Sequence, residues 1–125
     1  MNVPEDLHYA KSHEWLRLDG ENGTVGITDH AQQELTDITF VELPVVGRKL
    51  KAGETCATVE SVKTASDIYA PVAGEIVEVN ADVASNTGLV NSDPYGAGWL
   101  FKIKAAHDRD VDALMDEAAY LASAS

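Results

Sequence analysis

The chain of 125 residues holds one cysteine, Cys56, and 9 lysines and arginines against 21 aspartates and glutamates, a formal charge of −12. One cysteine excludes an intramolecular disulfide, and with four scattered histidines it makes no spaced zinc cluster, so a reducing, cytoplasmic setting fits best. The shortage of clustered base excludes nucleic acid, whose phosphates must be neutralised, and disfavours an anionic membrane surface. No apolar run approaches the roughly 18 residues of a membrane-spanning helix. The opening residues Met1-Asn2-Val3-Pro4-Glu5-Asp6 are acidic where a signal or transit peptide is basic. The chain therefore reads as an untargeted bacterial-type protein, a processed mitochondrial form being compatible. What remains is enough to fold without staples: 45% hydrophobic residues at this length support a single domain over 1–125 with its own core.

Short alternating segments fill the first hundred residues. Glu14 to Leu18 and Val25 to Ile27 flank the turn Asp19-Gly20-Glu21-Asn22-Gly23, and Thr28 to Leu35 reads as a connector helix with Asp29 as N-cap and Gln32 closing a capping box. Ile38 to Leu43, Thr55 to Val62, Ser66 to Ala70, Gly74 to Asn80 and Trp99 to Lys104 are further strands. Arg48 to Glu54 is a charged turn, and in the last strand Trp99, Phe101 and Ile103 oppose Lys102 and Lys104 as on a half-buried edge. After Asp108 the period changes: Val111, Leu114, Met115, Ala118 and Leu121 recur at three and four, predicting a C-terminal helix over about 108–123 with acidic residues in its first turn. Many short strands and one terminal helix predict an all-β sandwich or barrel with helical trimming.

Most reactive side chains have bland explanations. Cys56 is strand packing, His8, His13, His30 and His107 lack metal spacing, and Gly96-Ala97-Gly98 is a tight turn without the third glycine of a dinucleotide loop. Glu14, Glu60 and Asp67 read as solvated surface, and no nucleophile with an adjacent base assembles, so no catalytic residue is expected. Val59 to Ile68 differs. It sets Lys63, the one basic residue between Glu54 and Leu100, where two alternating arms must reverse. Val62-Lys63 is poor turn chemistry, because a two-residue hairpin loop favours Asn-Gly or Asp-Gly. Breaks of a local rule tend to mark function, although an exposed loop lysine is the ordinary explanation for such a residue, and pattern alone leaves the matter there.

Glu60-Ser61-Val62-Lys63, followed by Ser66-Asp67-Ile68-Tyr69-Ala70-Pro71-Val72-Ala73-Gly74-Glu75-Ile76, resembles the lipoyl-lysine hairpin and return strand of the glycine cleavage system H protein family. His13-Glu14-Trp15, Val25 to Gln32, Phe40-Val41-Glu42-Leu43-Pro44, Leu89 to Tyr95 and Gly98-Trp99-Leu100 are similar to that family in the same order. The resemblance implies a mainly β barrel-sandwich hybrid of the lipoyl-domain type, with a short connector helix and a C-terminal helix. Lys63 would stand at the tip of the hairpin 55–70, amide-linked to lipoic acid. It implies a carrier, not an enzyme. The aminomethyl group of glycine would come from glycine decarboxylase, a pyridoxal-phosphate enzyme, and go to aminomethyltransferase, and reducing equivalents would go to dihydrolipoamide dehydrogenase.

The resemblance also implies that Glu60, Ser61 and Val62 belong with Lys63 to the cofactor-binding segment, Glu60 as part of the surface a lipoate-attaching enzyme reads, and that Ser12, Glu14 and Asp67 line a cleft holding the loaded arm. Carboxylates beside a protonated amine favour its cationic form. Simple surface acidity explains Glu14 and Asp67 as well, and a strand-end role explains Glu60. The chain departs from the family pattern at Thr36, where a glycine is common, at Thr64, and at Thr87-Gly88. Val62 and Thr64 are not the methionines that flank a biotinyl lysine, and the Ala/Pro linkers of 2-oxo-acid dehydrogenase lipoyl domains are absent. A free-standing monomer is expected. A lipoate donor in lipoyl relay and a non-modified interaction module are the alternatives.

Overall fold

The computed structural model describes residues 3–106 and 108–124. Alternating apolar and polar side chains form strands because successive residues point to opposite faces. In chain order the elements are β1 (His8–Tyr9), β2 (Glu14–Asp19), β3 (Asn22–Ile27), α1 (Asp29–Leu35), β4 (Ile38–Glu42), β5 (Lys49–Leu50), β6 (Thr55–Ser61), β7 (Ala65–Tyr69), β8 (Gly74–Val79), α2 (Ala81–Ser85), α3 (Gly88–Ser92), β9 (Phe101–Ala105), a 3-10 turn (Asp108–Ala113) and α4 (Glu117–Ala124). They build a six-stranded sheet of order β1-β2-β3-β9-β8-β5 and a three-stranded sheet of order β4-β6-β7. The pairings within both are antiparallel.

The inner faces meet in one core. Leu16, Val25, Ile76, Phe101 and Ile103 from the large sheet pack with Val41, Val59 and Ile68 from the small one. Strand β2 buries its other face too, where Trp15 joins Leu7, Tyr9, Tyr95 and Tyr120 in a second cluster. This mainly β architecture is the barrel-sandwich, lipoyl-domain-like fold expected from the resemblance.

Several local expectations are corrected. The last strand is no edge: β9 pairs with β3 on one side and β8 on the other, because alternation reveals which face is wet but not which strands lie alongside. The N-cap of α1 is Thr28, whose side chain accepts from the Ala31 N–H, while Asp29 takes the side-chain amides of Gln32 and Gln33. The C-terminal helix predicted over 108–123 is interrupted. Met115 exchanges both backbone hydrogen bonds with Tyr9, at 2.8 and 2.7 Å, which holds it extended between the 3-10 turn and α4. Of the acidic residues expected to serve that helix start, Asp110 instead accepts from the Ala73 N–H. The charged turn 48–54 contains β5, whose Leu50 is buried, and the short α2 and α3 have too few turns for a periodic signal.

Thr36, the C-cap of α1, has φ 63° and ψ −144°, a region open to glycine and strained for a β-branched residue. Its backbone is held there from both sides: the N–H reaches Gln32 O, and the carbonyl accepts from Asn91 Nδ2 at 2.7 Å. Thr36→Gly retains both bonds and relieves the strain. The variant is expected to gain about 1 kcal/mol in urea denaturation, the strain relief exceeding the extra chain entropy of glycine. An unchanged or lower midpoint would show that the strain relieved does not exceed the entropy cost of glycine.

Candidate functional site

The β6–β7 hairpin solves its awkward turn with a side chain. Neither Val62 nor Lys63 adopts the positive φ that a type I′ loop demands. Instead the Ser61 hydroxyl oxygen accepts from the Lys63 N–H at 3.4 Å and the Thr64 N–H at 3.2 Å, and the Ser61 N–H donates to Thr64 O at 2.7 Å. The Val62 N–H donates to Asp37 O, tying the tip to the turn between α1 and β4. With the loop fastened by Ser61 and Asp37, the side chains of Val62 and Lys63 are free to project. Val62 is 68% exposed, and Lys63 is exposed with no ion pair among the described residues. Glu60, half-buried, pairs in register with Ala65 on β7 and with Phe40 on β4.

Ser12 and Glu14 form a second constellation. Glu14 is 0% exposed and bridges the two sheets: one carboxylate oxygen takes the Ser12 hydroxyl, and the other accepts from the Tyr69 N–H at 3.2 Å. Burial pushes its carboxyl above the usual range, against the opposing pull of these hydrogen bonds. The structure thus brings Ser12 and Glu14 together. Asp67 is not joined to them by any hydrogen bond or ion pair among the described residues. It is exposed on β7, on the same strand face as Tyr69. Lys63 and the Tyr69 amide lie at opposite ends of the hairpin arm, six residues or roughly 20 Å apart along an extended strand.

The remaining sequence candidates are structural. Cys56 sits at a register shift in β6, so it and Ala57 are both buried in place of alternating. Its thiol points at Ile68 O, and burial, reinforced by the Glu14 charge, pushes it up to about 12. No three His, Cys, Asp or Glu side chains converge on a metal position among the described residues, and His107 lies outside them. A concavity of about 600 Å³, lined by Leu50, Gly74, Lys104 and their neighbours, lies at the β5 edge and includes none of Ser12, Glu14, Lys63 or Asp67. The sequence reading missed how His13 is held. Its Nδ1 is hydrogen-bonded to the hydroxyl of Tyr120, 107 residues away, at 2.6 Å, and only its place in the His13-Glu14-Trp15 motif hinted at a role.

A sequence model of the glycine cleavage H-protein family matches residues 7–125. The chain belongs to that family. It is 58% identical over 120 residues to a glycine cleavage system H protein of Cronobacter sakazakii, covering 95% of this chain and 93% of the relative. The corresponding protein of Escherichia coli O7:K1 is 56% identical with the same coverage. The crystal structure of a glycine cleavage system H protein from Mycobacterium marinum superposes with a TM-score of 0.87 at 38% identity, covering 96% of this chain and 97% of that one. Among the described residues no helix is long and apolar enough to cross a membrane.

In this H-protein-family chain the burial of Glu14 has a measurable consequence. A carboxyl whose folded pKa is raised contributes stability below its ordinary value of 4.5, and that contribution is lost as pH rises through the folded value. Glu14→Gln keeps a carbonyl for the Tyr69 N–H and an amide for Ser12 while removing the buried charge. The variant should therefore be more stable than the parent at pH 7, with the gap closing toward pH 4, as read by thermal denaturation across pH. A less stable variant at pH 7 would mean that the hydrogen bonds outweigh desolvation.

Proposed function

We propose that this chain is the lipoyl-lysine carrier of glycine cleavage, with lipoic acid held as an amide on Lys63. The observation that carries the reading is the Lys63 side chain itself: exposed, without an ion pair among the described residues, and on a turn that Ser61 and Asp37 fasten. Those residues fit the group. Acylation removes a charge that no described neighbour uses, and a projecting tip admits a modifying enzyme without local unfolding. When attached, the dithiolane supplies a disulfide that is reduced as the aminomethyl group of glycine is taken up and is reoxidised by dihydrolipoamide dehydrogenase.

This chain's own residues present and shelter. Glu60, Ser61 and Val62 supply the surface that a lipoate-attaching enzyme reads, and Ser61 keeps Lys63 at a constant place. Ser12 and Glu14 offer a hydroxyl and a carboxylate that hold a primary ammonium away from water, and exposed Asp67 lies along β7 between them and the tip. Glycine decarboxylase, aminomethyltransferase and dihydrolipoamide dehydrogenase are the partners in turn.

The test is intact mass of the protein from its own cells, followed by peptide mapping around Lys63. One lipoyl increment on Lys63, and a glycine-dependent mass gain with the decarboxylase, are expected. Unmodified Lys63 in cells whose other lipoyl proteins are modified would overturn the proposal.

A further inference from the structure

Tyr120 belongs to the terminal helix α4 yet is fully buried. Its ring stacks on Tyr9, with centroids 4.8 Å apart and planes 16° apart, and meets the His13 ring edge-on at 5.6 Å. Its hydroxyl is hydrogen-bonded to His13 Nδ1 at 2.6 Å and to Thr28 Oγ1 at 2.7 Å. His13 has φ 74°, a left-handed conformation that is uncommon for residues other than glycine and is tolerated best by asparagine, aspartate and histidine.

Those surroundings are specific. The His13 N–H reaches Ala10 O and its carbonyl accepts from the Thr28 N–H, each at 3.0 Å. The His30 ring lies 4.6 Å away at a tilt of 32°, and His30 in turn is paired with Glu34. The titratable groups facing the cluster include His30 and Glu34 from α1, Glu14 from β2, Tyr9 from β1 and Tyr95, with Asp6 and Glu117 on the Tyr9 side. His13 stands between Ser12 and Glu14, so its backbone twist decides where those two side chains point. They converge, the Ser12 hydroxyl on the Glu14 carboxylate and the carboxylate on the Tyr69 N–H.

We propose that Tyr120 is a positioning residue for the Ser12–Glu14 pair: its hydroxyl, bonded to both His13 and Thr28, clamps His13 in the left-handed conformation and thereby aims Ser12 at the carboxylate. The terminal helix is then part of the site, reaching it through one phenol. Removing that hydroxyl leaves the His13 ring nitrogen without its partner, so that only the two backbone hydrogen bonds, to Ala10 O and from the Thr28 N–H, still oppose relaxation of the strained backbone. The Ser12 hydroxyl then leaves the carboxylate. The functional meaning of the clamp rests on the arm-holding role proposed above, whereas its geometry does not.

The experiment follows the Glu14 carboxyl carbon by NMR through a pH titration of the lipoylated full chain. In Tyr120→Phe the midpoint is expected to rise by about one pH unit, because the ionised carboxylate loses the Ser12 hydrogen bond, while lipoylation of Lys63 is unchanged by mass. Combining Tyr120→Phe with His13→Asn should bring the midpoint back, since asparagine takes the left-handed backbone readily without a clamp. A packing role alone would show no such rescue. If Tyr120→Phe does not fold, His13→Ala removes the ring nitrogen that the phenol holds and disfavours the left-handed backbone, and should produce the same rise. An unmoved Glu14 midpoint in the folded single variant overturns the clamp, and equal midpoints in the single and double variants overturn the route through His13. A midpoint that moves while the glycine-loaded arm stays as protected as in the parent supports the clamp and removes only the arm-holding role.

Discussion

Lys63→Arg protein, produced alongside a lipoate-attaching enzyme, should emerge at its unmodified mass and support no glycine-dependent exchange above background, with its denaturation curve unchanged. Arginine keeps the charge and length of lysine, but its guanidinium is not a nucleophilic amine at neutral pH, so amide formation stops. The fold has no stake in the position: the side chain is exposed, the turn is held by the Ser61 hydroxyl and by Asp37 O, and surface substitutions away from such features change stability by no more than about 0.5 kcal/mol. Loss of function therefore separates cleanly from loss of structure. A Lys63→Arg protein that still acquires a lipoyl increment would place the attachment on another lysine. One that stays unmodified yet supports full exchange would remove the carrier reading altogether.

Trp15→Ala is expected to cost about 3–5 kcal/mol, the largest structural effect of any substitution considered. The indole is 0% exposed and central to the second cluster, between Leu7, Tyr9, Tyr95 and Tyr120. It lies against the Gly26 backbone, where an added Cβ would come within 2.7 Å of the ring, and its Nε1–H is shared between the carbonyls of Ile27 and Pro94 at 3.0 Å each. Alanine leaves a cavity and strips both carbonyls of this donor. Against the roughly 5–15 kcal/mol by which a domain is stable, that brings the protein close to unfolding at 37 °C. Urea denaturation reads the effect directly, and a loss under about 1.5 kcal/mol would show that the neighbouring rings collapse into the space. The consequence reaches the site as well, since Trp15 follows Glu14 in β2 and shares its cluster with Tyr120.

The strands were legible because a period of two is a local property. Val25 and Ile27, or Phe101 and Ile103, show which face is buried before any partner is known. The lysine proposed for attachment was legible for a different reason: Val62-Lys63 breaks the turn rule, and the residues around it resemble a known hairpin. What the sequence did not show was how the break is made good, because the Ser61 hydroxyl replaces backbone donors and acceptors that sequence rules count on. The helix over 108–123 misled for a related reason. Its apolar spacing is real, yet Met115 is drawn into pairing with Tyr9, and that tertiary bond outweighs helical propensity.

By itself, the amino-acid sequence determined the mainly β class, the single basic side chain on the hairpin and the family to which the chain is related, all of which depend on neighbours within a few positions or on matching motifs in order. Only the tertiary structure decided that β9 is central, that Glu14 is sealed between two sheets, and that Tyr120 reaches His13 across 107 residues and Thr28 across 92. These are pairings between distant segments, chosen by burial and by the need of each covered polar group for a partner, and no local period encodes them.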